Sequence, residues 1–235
     1  MDDKKLSDQI IQFNRELDYT GSLPPGFRVI NPYLDNPETL EVMARFYHKY
    51  YNDSNPRKFI LGINPGRYGA AVTGVPFTDT KHLESVCGIK MKSAYTHEPS
   101  AVFVHEMIKA DGGATKFFQE FYINSLFPLA IVRETKDGKW VNANYYDDAT
   151  LFKMTEDFMI SSLKKQIDFG LDTSRIFVLG KKNASYIEKL NKRVALFDKL
   201  VVLEHPRYIQ QYKLKEKQTY IDKYILELNR SNNEG

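Results

Sequence analysis

The chain has 235 residues, of which 42% are hydrophobic and 27% are charged, and its 33 basic and 30 acidic residues leave a net charge of +3. This composition excludes a disordered chain, and the small net charge permits binding to a polyanion without requiring it. No stretch approaches the roughly 18 uninterrupted apolar residues of a membrane span, and the N-terminal segment lacks the apolar core of a signal peptide. We therefore expect a cytoplasmic protein without a membrane partner.

The cysteine and histidine content limits the chemistry of the chain. Cys87 is the single cysteine, which excludes an intrachain disulfide and a four-cysteine iron–sulfur site. His97 and His105 share one segment but lack a metal-ligand spacing, so we predict neither a metal nor a cofactor. A chain of this length is more often one domain than two, and we predict a single domain over residues 1–235.

The first predicted elements are a helix and an extended arm. Apolar spacing predicts a helix over about residues 6–17, and the turn-rich "GSLPPGFRVINPY" that follows predicts extended chain, so residues 1–35 form a helix and a packed arm. Asn36 with Pro37 after it is typical of a helix start, and this second helix ends near Tyr50.

Four short apolar runs without alternation are typical of strands covered on both faces. These runs are "KFILGI" from Lys58, "FYINSLFPL" from Phe121, "RIFVLG" from Arg175 and "KLVVLEH" from Lys199. Helical patterns are predicted at about residues 99–120, 151–169, 184–194 and 211–229. Strands that alternate with helices favour an α/β fold, a three-layer α/β/α sandwich with a central, mostly parallel sheet of about four strands. The Asp137-Gly138 pair within "AIVRETKDGKWVN" predicts a hairpin outside that sheet.

Polar residues mark one edge of the predicted sheet. Ligands bind beyond the carboxyl ends of the strands in an open parallel sheet. Asn64 follows the first predicted strand, Asn124 lies in the second and His205 follows the fourth. Each is an ordinary residue for a turn or a strand end when taken alone, but three at one edge indicate a binding site.

The segment "LGINPGRYGAAVTGVPFTD", residues 61–79, gathers glycines and prolines around Asn64. It lacks the lysine-plus-hydroxyl ending of a P-loop and the G-x-G-x-x-G spacing of a dinucleotide site. Its glycines permit a close approach of the backbone to a ligand, and Phe77 offers a rigid aromatic face. The segment therefore predicts a slot for a planar base.

Three stretches of this sequence resemble motifs of the uracil-DNA glycosylase superfamily, most closely its single-strand-selective monofunctional branch. "GINPGRYGAAVTGVPF" is similar to the first motif, where G-M-N-P-G-P-F-G leads into T-G-V-P-F. "FYINSLFPL" is similar to the uracil-reading strand, and "LEHP" to the second motif, which begins His-Pro. The correspondence extends with gaps over about residues 25–215. It implies a single glycosylase domain that flips uracil out of DNA, hydrolyses its N-glycosidic bond and initiates base-excision repair.

The resemblance also implies catalytic and base-binding roles. Asn64 matches the water-positioning asparagine, and His205 matches the histidine beside O2 of the base. Phe77 matches the aromatic residue that stacks on the flipped base, and Asn124 matches the asparagine whose amide reads the pyrimidine edge. The positions whose backbone lines the pocket are matched by Ile63 and Gly66. Since these motifs contain no lysine, we expect direct hydrolysis without a lyase step.

The sequence departs from the family pattern where DNA contacts are expected. Arg67 replaces the second proline of the first motif, and it adds a phosphate contact or reshapes the pocket. The second motif reads "HPRYIQQYK" instead of His-Pro-Ser-Pro-Arg-Asn. We interpret Arg207 as a phosphate contact and Tyr208 as the wedge that fills the vacated stack, although Tyr208 could equally cap the last helix.

Three functions remain open from the sequence. The first is a monomeric uracil-DNA glycosylase whose partner is DNA containing uracil or another deaminated base. The second is a glycosylase shifted towards deaminated purines such as xanthine and hypoxanthine. The third is a nucleic-acid-binding module that has kept the slot and lost catalysis.

Overall fold

The computed structural model describes residues 4–230, and within them two β-sheets form. The strands are β1 (Phe27–Ile30), β2 (Lys58–Gly62), β3 (Phe121–Ser125), β4 (Ala130–Glu134), β5 (Trp140–Ala143), β6 (Asp172–Leu179) and β7 (Lys199–Leu203). The larger sheet has the order β3-β2-β6-β7, and all its neighbouring strands run parallel. Helices flank this sheet, so the α/β fold with four central parallel strands predicted from the apolar runs is confirmed.

The helices occupy the connections between the strands. They are α1 (Leu6–Glu16), α2 (Pro32–Asp35), α3 (Pro37–Tyr50), α4 (Ala70–Thr73), α5 (Thr80–Ser85), α6 (Pro99–Ala110), α7 (Ala114–Glu120), α8 (Ala149–Ile167), α9 (Lys181–Val194), α10 (Pro206–Tyr212) and α11 (Lys217–Asn229). Residues 1–3, in the predicted N-terminal arm, and 231–235, in the predicted single domain, lie outside the described residues. No helix within residues 4–230 has the length and apolar character needed to cross a membrane.

Several boundaries differ from the sequence prediction. The stretch 99–120 contains two helices, α6 and α7, because Gly112 and Gly113 between them have a positive φ. Helix α9 begins at Lys181 instead of near residue 184. The predicted last helix over residues 211–229 is interrupted, because the backbone of Lys213 leaves the helical region after α10 and a short 3-10 helix, Leu214–Glu216, precedes α11. The segment that follows β2 contains α4 and α5, which the abundance of turn residues concealed.

The smaller sheet is antiparallel and has the order β1-β4-β5. The predicted hairpin forms from β4 and β5 and lies outside the parallel sheet, as expected from Asp137-Gly138. The predicted arm supplies β1, whose Phe27 pairs with Arg133. Pairing with β4 satisfies backbone groups that an isolated extended arm would leave to water.

Parallel pairing brings the carboxyl ends of the central strands to one edge. Gly62 at the end of β2 pairs with Ser125 at the end of β3, and Leu179 pairs with Leu203 at the ends of β6 and β7. The segments that leave these ends therefore meet above the same edge, which places the glycine-rich segment beside the start of α10.

Candidate active site

A cavity lies at this edge of the sheet, between the segment after β2, the end of β3, β5 and the start of α10. Six of the residues predicted from the sequence line it: Ile63, Asn64, Gly66, Phe77, His205 and Arg207. Three others lie outside its lining: Arg67, Asn124 and Tyr208. The structure thus brings both predicted catalytic residues to one cavity.

The amide of Asn64 is held by the backbone that follows β5. Its Nδ2 donates to the carbonyl oxygens of Ala143 at 3.0 Å and Pro65 at 3.4 Å, and its Oδ1 accepts from the backbone N–H of Tyr145 at 3.3 Å. Both hydrogens of Nδ2 therefore have an acceptor, while Oδ1 keeps a second lone pair. A fixed amide with a free acceptor can orient a water molecule, although its neutrality prevents it from taking the proton.

The aromatic face of the cavity depends on a strained residue. Phe77 has a φ of 52°, a left-handed conformation that residues other than glycine rarely adopt. The hydroxyl of Thr73 holds this turn, since it donates to the carbonyl oxygen of Thr78 at 2.6 Å and accepts from the N–H of Val75 at 3.2 Å. The turn directs the ring of Phe77 into the cavity lining, with its centroid 6.0 Å from that of His205.

The end of β3 presents Ser125 to the cavity instead of Asn124. Successive residues of a strand point to opposite faces, and the side chain of Asn124 shares its face with buried Tyr122. Asn124 donates from Nδ2 to the hydroxyl of Tyr122 at 2.8 Å and accepts at Oδ1 from the N–H of Ser125 at 2.8 Å. These two bonds hold the amide towards Tyr122, and Asn124 does not line the cavity. Ser125 is the residue of β3 that lines the cavity and can contact a base there, while the base-reading role of Asn124 stays a prediction.

His205 is a neutral hydrogen-bond donor at the N-cap of α10. The backbone N–H of Arg207 donates to Nδ1 of His205 at 3.2 Å, so Nδ1 carries no proton and the neutral ring carries its hydrogen on Nε2. Burial, followed by the positive charge of Arg207, lowers the pKa of His205 to about 4. The ring thus offers an uncharged Nε2–H, the donor type needed beside an oxygen that gains negative charge.

Glu98 is a cavity residue that the sequence analysis missed. It precedes α6 at the N-cap position, yet its side chain makes no capping bond and turns towards the glycine-rich segment. An ideal Cβ on Gly66 would overlap with Oε1 of Glu98, and one on Gly69 would overlap with Oε2. Neither glycine has a positive φ. The carboxyl therefore lies against both glycines, a contact with no local signal in the sequence.

The three residues predicted to contact DNA have different surroundings. Arg67 holds the hairpin, since its guanidinium donates to the carbonyl oxygen of Trp140 and lies 4.6 Å from the ring centroid of Tyr68. Arg207 is exposed and also lines the cavity. Tyr208 is 43% exposed on α10, one helical turn before Tyr212.

One group among the described residues has the composition of a metal site. Asp79, His82 and His97 offer ligand atoms within 4.8 Å of one another. The Asp79 carboxylate already accepts from the N–H groups of His82 and Glu98 and lies 2.7 Å from Nδ1 of His82. These contacts make it the cap of α5 and an anchor for the start of α6, so the cluster has a structural explanation.

Comparisons with known proteins show the family of the chain. The family model described as the uracil DNA glycosylase superfamily matches residues 48–229. The crystal structure of wild-type SMUG2 from Pedobacter heparinus superimposes with a TM-score of 0.91 and is 47% identical in sequence. The match covers 94% of this chain and 95% of that one. No curated protein matches the sequence significantly.

Proposed function

The chain belongs to the uracil DNA glycosylase superfamily, and we propose that it is a monofunctional enzyme that hydrolyses the N-glycosidic bond of uracil in DNA. The observation that carries this proposal is the convergence of Asn64, Phe77 and His205 on one cavity. A held amide, an aromatic face and a neutral donor correspond to the three requirements of the reaction, which are a placed water, a stacked base and a stabilised leaving group.

The proposed reaction starts with an extruded base stacked on Phe77. Extrusion from a duplex costs a few kcal/mol, which stacking and edge contacts offset. As the C1′–N bond breaks, its electron pair moves to the base, whose carbonyl oxygen gains negative charge. The Nε2–H of His205 stabilises that charge, and one such donor contributes on the order of 3 kcal/mol. Asn64 orients the water that attacks C1′.

The cavity lining favours hydrolysis over a lyase reaction. A Schiff-base step needs an amine nucleophile near C1′. Among the described residues no lysine lines the cavity. We therefore propose that the product is an intact abasic site, the step that initiates base-excision repair.

Contacts with DNA in this proposal come from the start of α10. Arg207 borders the cavity, where its guanidinium can hold a phosphate, and Tyr208 stands exposed beside it as the wedge. The guanidinium of Arg67 can contact a DNA phosphate only through the nitrogens that do not bind Trp140.

We also propose that the enzyme acts as a monomer in the cytoplasm.

Ser125 favours a second candidate, a glycosylase shifted towards deaminated purines. Its hydroxyl is smaller than the amide of an asparagine, and it rotates to donate or accept. The Ser125 hydroxyl can therefore form a hydrogen bond with the lactam edge of xanthine or hypoxanthine as well as with that of uracil. This candidate keeps the same cavity and the same cleavage step.

The test is a panel of end-labelled oligonucleotides, single- and double-stranded, that carry one uracil, xanthine or hypoxanthine. We expect breaks at the uracil position only after alkali treatment, and none in strands with normal bases. An Asn64→Ala preparation, purified identically, controls for contaminating glycosylases. Release of xanthine or hypoxanthine in preference to uracil would establish the second candidate. If no damaged base is released, the glycosylase hypothesis is refuted and the nucleic-acid-binding module without catalysis remains.

A further inference from the structure

We propose that the carboxylate of Glu98 is the general base that accepts the proton of the water positioned by Asn64. This inference rests on the proposed glycosylase function and adds a catalytic residue to it. The cleavage of the bond produces one proton from the attacking water, and the amide of Asn64 cannot accept it. Glu98 is the single carboxylate in the cavity lining among the described residues.

Glu98 lies between two elements of the structure. The N-terminus of α6 anchors its backbone, whose N–H donates to Oδ2 of Asp79 at 2.6 Å. Its side chain then reaches the segment that carries Asn64, where Gly66 and Gly69 leave room for one carboxyl oxygen each. A side chain at either glycine would require the carboxyl to move. In the observed position the carboxyl lies between the glycine-rich segment and the start of α6.

Among residues 4–230, no hydrogen bond or ion pair involves the carboxyl oxygens of Glu98, and the residue is only partly exposed. A carboxyl that lines a cavity without a bond to another side chain or to the backbone is free to bind a water molecule or a substrate there. The water at the reacting carbon is the partner that the reaction requires.

The electrostatics of the cavity suit a base that works near neutral pH. Burial raises the pKa of Glu98 to about 7, with an opposing contribution from Arg207 and a supporting one from Asp79. The other titratable groups near it are His205, which is neutral, and His97, which lies 3.4 Å from Asp79. A base with a pKa close to the working pH combines a sufficient ionised fraction with a sufficient proton affinity.

The proposed step is balanced in atoms and electrons. The C1′–N bond breaks and its electron pair leaves with the base, while an electron pair of the water oxygen forms the bond to C1′. One O–H bond of that water breaks, and its proton moves to an oxygen of Glu98. The departing base remains an anion that accepts a hydrogen bond from His205. Glu98 later releases its proton to solvent.

A carboxylate in this position could instead only accept a hydrogen bond from an N–H of the base. The two roles differ in one substitution. A glutamine at position 98 keeps an oxygen that accepts hydrogen bonds but cannot take a proton. The variant Glu98→Gln therefore separates proton transfer from hydrogen bonding without changing the volume of the side chain.

The experiment measures single-turnover release of uracil between pH 5.5 and 8.5. For the wild type we expect the rate to rise with pH to a plateau above about 7. In Glu98→Gln the rate at pH 8 should fall on the order of 100-fold, within the range of general-base contributions. The rate of this variant should no longer increase with pH. Its affinity for duplex with an uncleavable 2′-fluorinated uracil should stay unchanged. Glu84→Gln, which removes an exposed carboxylate on α5, should behave as wild type.

Several results would overturn the inference while the proposed function stands. An active wild type together with a Glu98→Gln variant of equal rate and equal pH profile leaves no role for proton transfer. A uniform loss at every pH with weakened binding would assign Glu98 to recognition of the base. A wild type that releases no damaged base would refute the proposed function and this inference with it.

Discussion

The ring of Phe77 occupies the space that a side chain on Gly62 would need. An ideal Cβ on Gly62 would lie 2.9 Å from both Cε2 and Cζ of Phe77 and 3.3 Å from Oγ of Ser125. We expect Gly62→Ala to lower the melting temperature, since overpacking costs about 1–3 kcal/mol of stability. It should also push the ring into the cavity and lower the rate of uracil release by about 10-fold or more, because the base is then misplaced.

Steady-state rates and melting temperatures of Gly62→Ala test this relationship. Ile60→Val, a core change in the same strand outside the cavity lining, is the control for a loss of stability alone. The double variant with Phe77→Leu should regain thermal stability because the ring atoms are gone, but not activity. Full activity of Gly62→Ala would contradict the tight packing of the Phe77 ring against Gly62.

Ser125 and Asn124 should respond differently to alanine. Loss of the Ser125 hydroxyl removes one edge contact to the base, so Ser125→Ala should reduce uracil release by about 10-fold with little change in melting temperature. Asn124→Ala breaks the bonds to Tyr122 and to the N–H of Ser125 and should mainly lower stability, by about 1–3 kcal/mol. The reverse pattern would support the base-reading role of Asn124.

His205 combines a structural and a chemical role that one substitution separates. Asparagine is a good N-cap residue, so His205→Asn should keep α10 capped while it removes the Nε2–H. We expect uracil release to fall by about 100- to 1,000-fold, the loss typical of one anion-stabilising donor, with DNA affinity retained. A rate within threefold of wild type would show that another group stabilises the leaving base.

Tyr208 and Tyr212 form a matched pair on α10, with ring centroids 5.6 Å apart and both side chains exposed. Only Tyr208 directly follows Arg207, which borders the cavity. Tyr208→Ala should weaken binding to uracil-containing duplex by about 10-fold, in keeping with the loss of one stacking contact, whereas Tyr212→Ala should have a smaller effect. Equal effects would assign both rings to the packing of α10, and no effect of Tyr208→Ala would end the wedge hypothesis.

Glu98 should make the stability of the protein depend on pH. Its pKa is raised from its ordinary 4.5 to about 7 in the folded chain, so the folded state binds more protons between these values and loses stability as the pH rises. Glu98→Gln should therefore exceed the wild type in stability at pH 8 by roughly 1–2 kcal/mol and match it near pH 4. Denaturant unfolding at both pH values measures this difference. A constant difference across that range would contradict a half-buried carboxyl with a raised pKa.

Much of this protein is determined by local sequence. Apolar runs of strand length alternate with capped helices, and these patterns depend on neighbouring residues rather than on tertiary contacts. They placed the four central strands in their observed positions. Because parallel strands end at one edge, they also predicted that Asn64 and His205 would meet there. The segment around Asn64 predicted an aromatic face at Phe77, and the resemblance of "GINPGRYGAAVTGVPF" to a family motif implied that this ring stacks on the base.

Tertiary structure decided the features that depend on distant pairings. Whether Asn124 or Ser125 faces the cavity is a matter of strand parity, and the packing of Tyr122 in the core sets it. The contact of Glu98 with Gly66 and Gly69 joins segments about 30 residues apart, and no periodicity or spacing encodes it. The sequence predicted that these glycines allow another group to approach closely, but only the fold identifies this group as the carboxyl of Glu98.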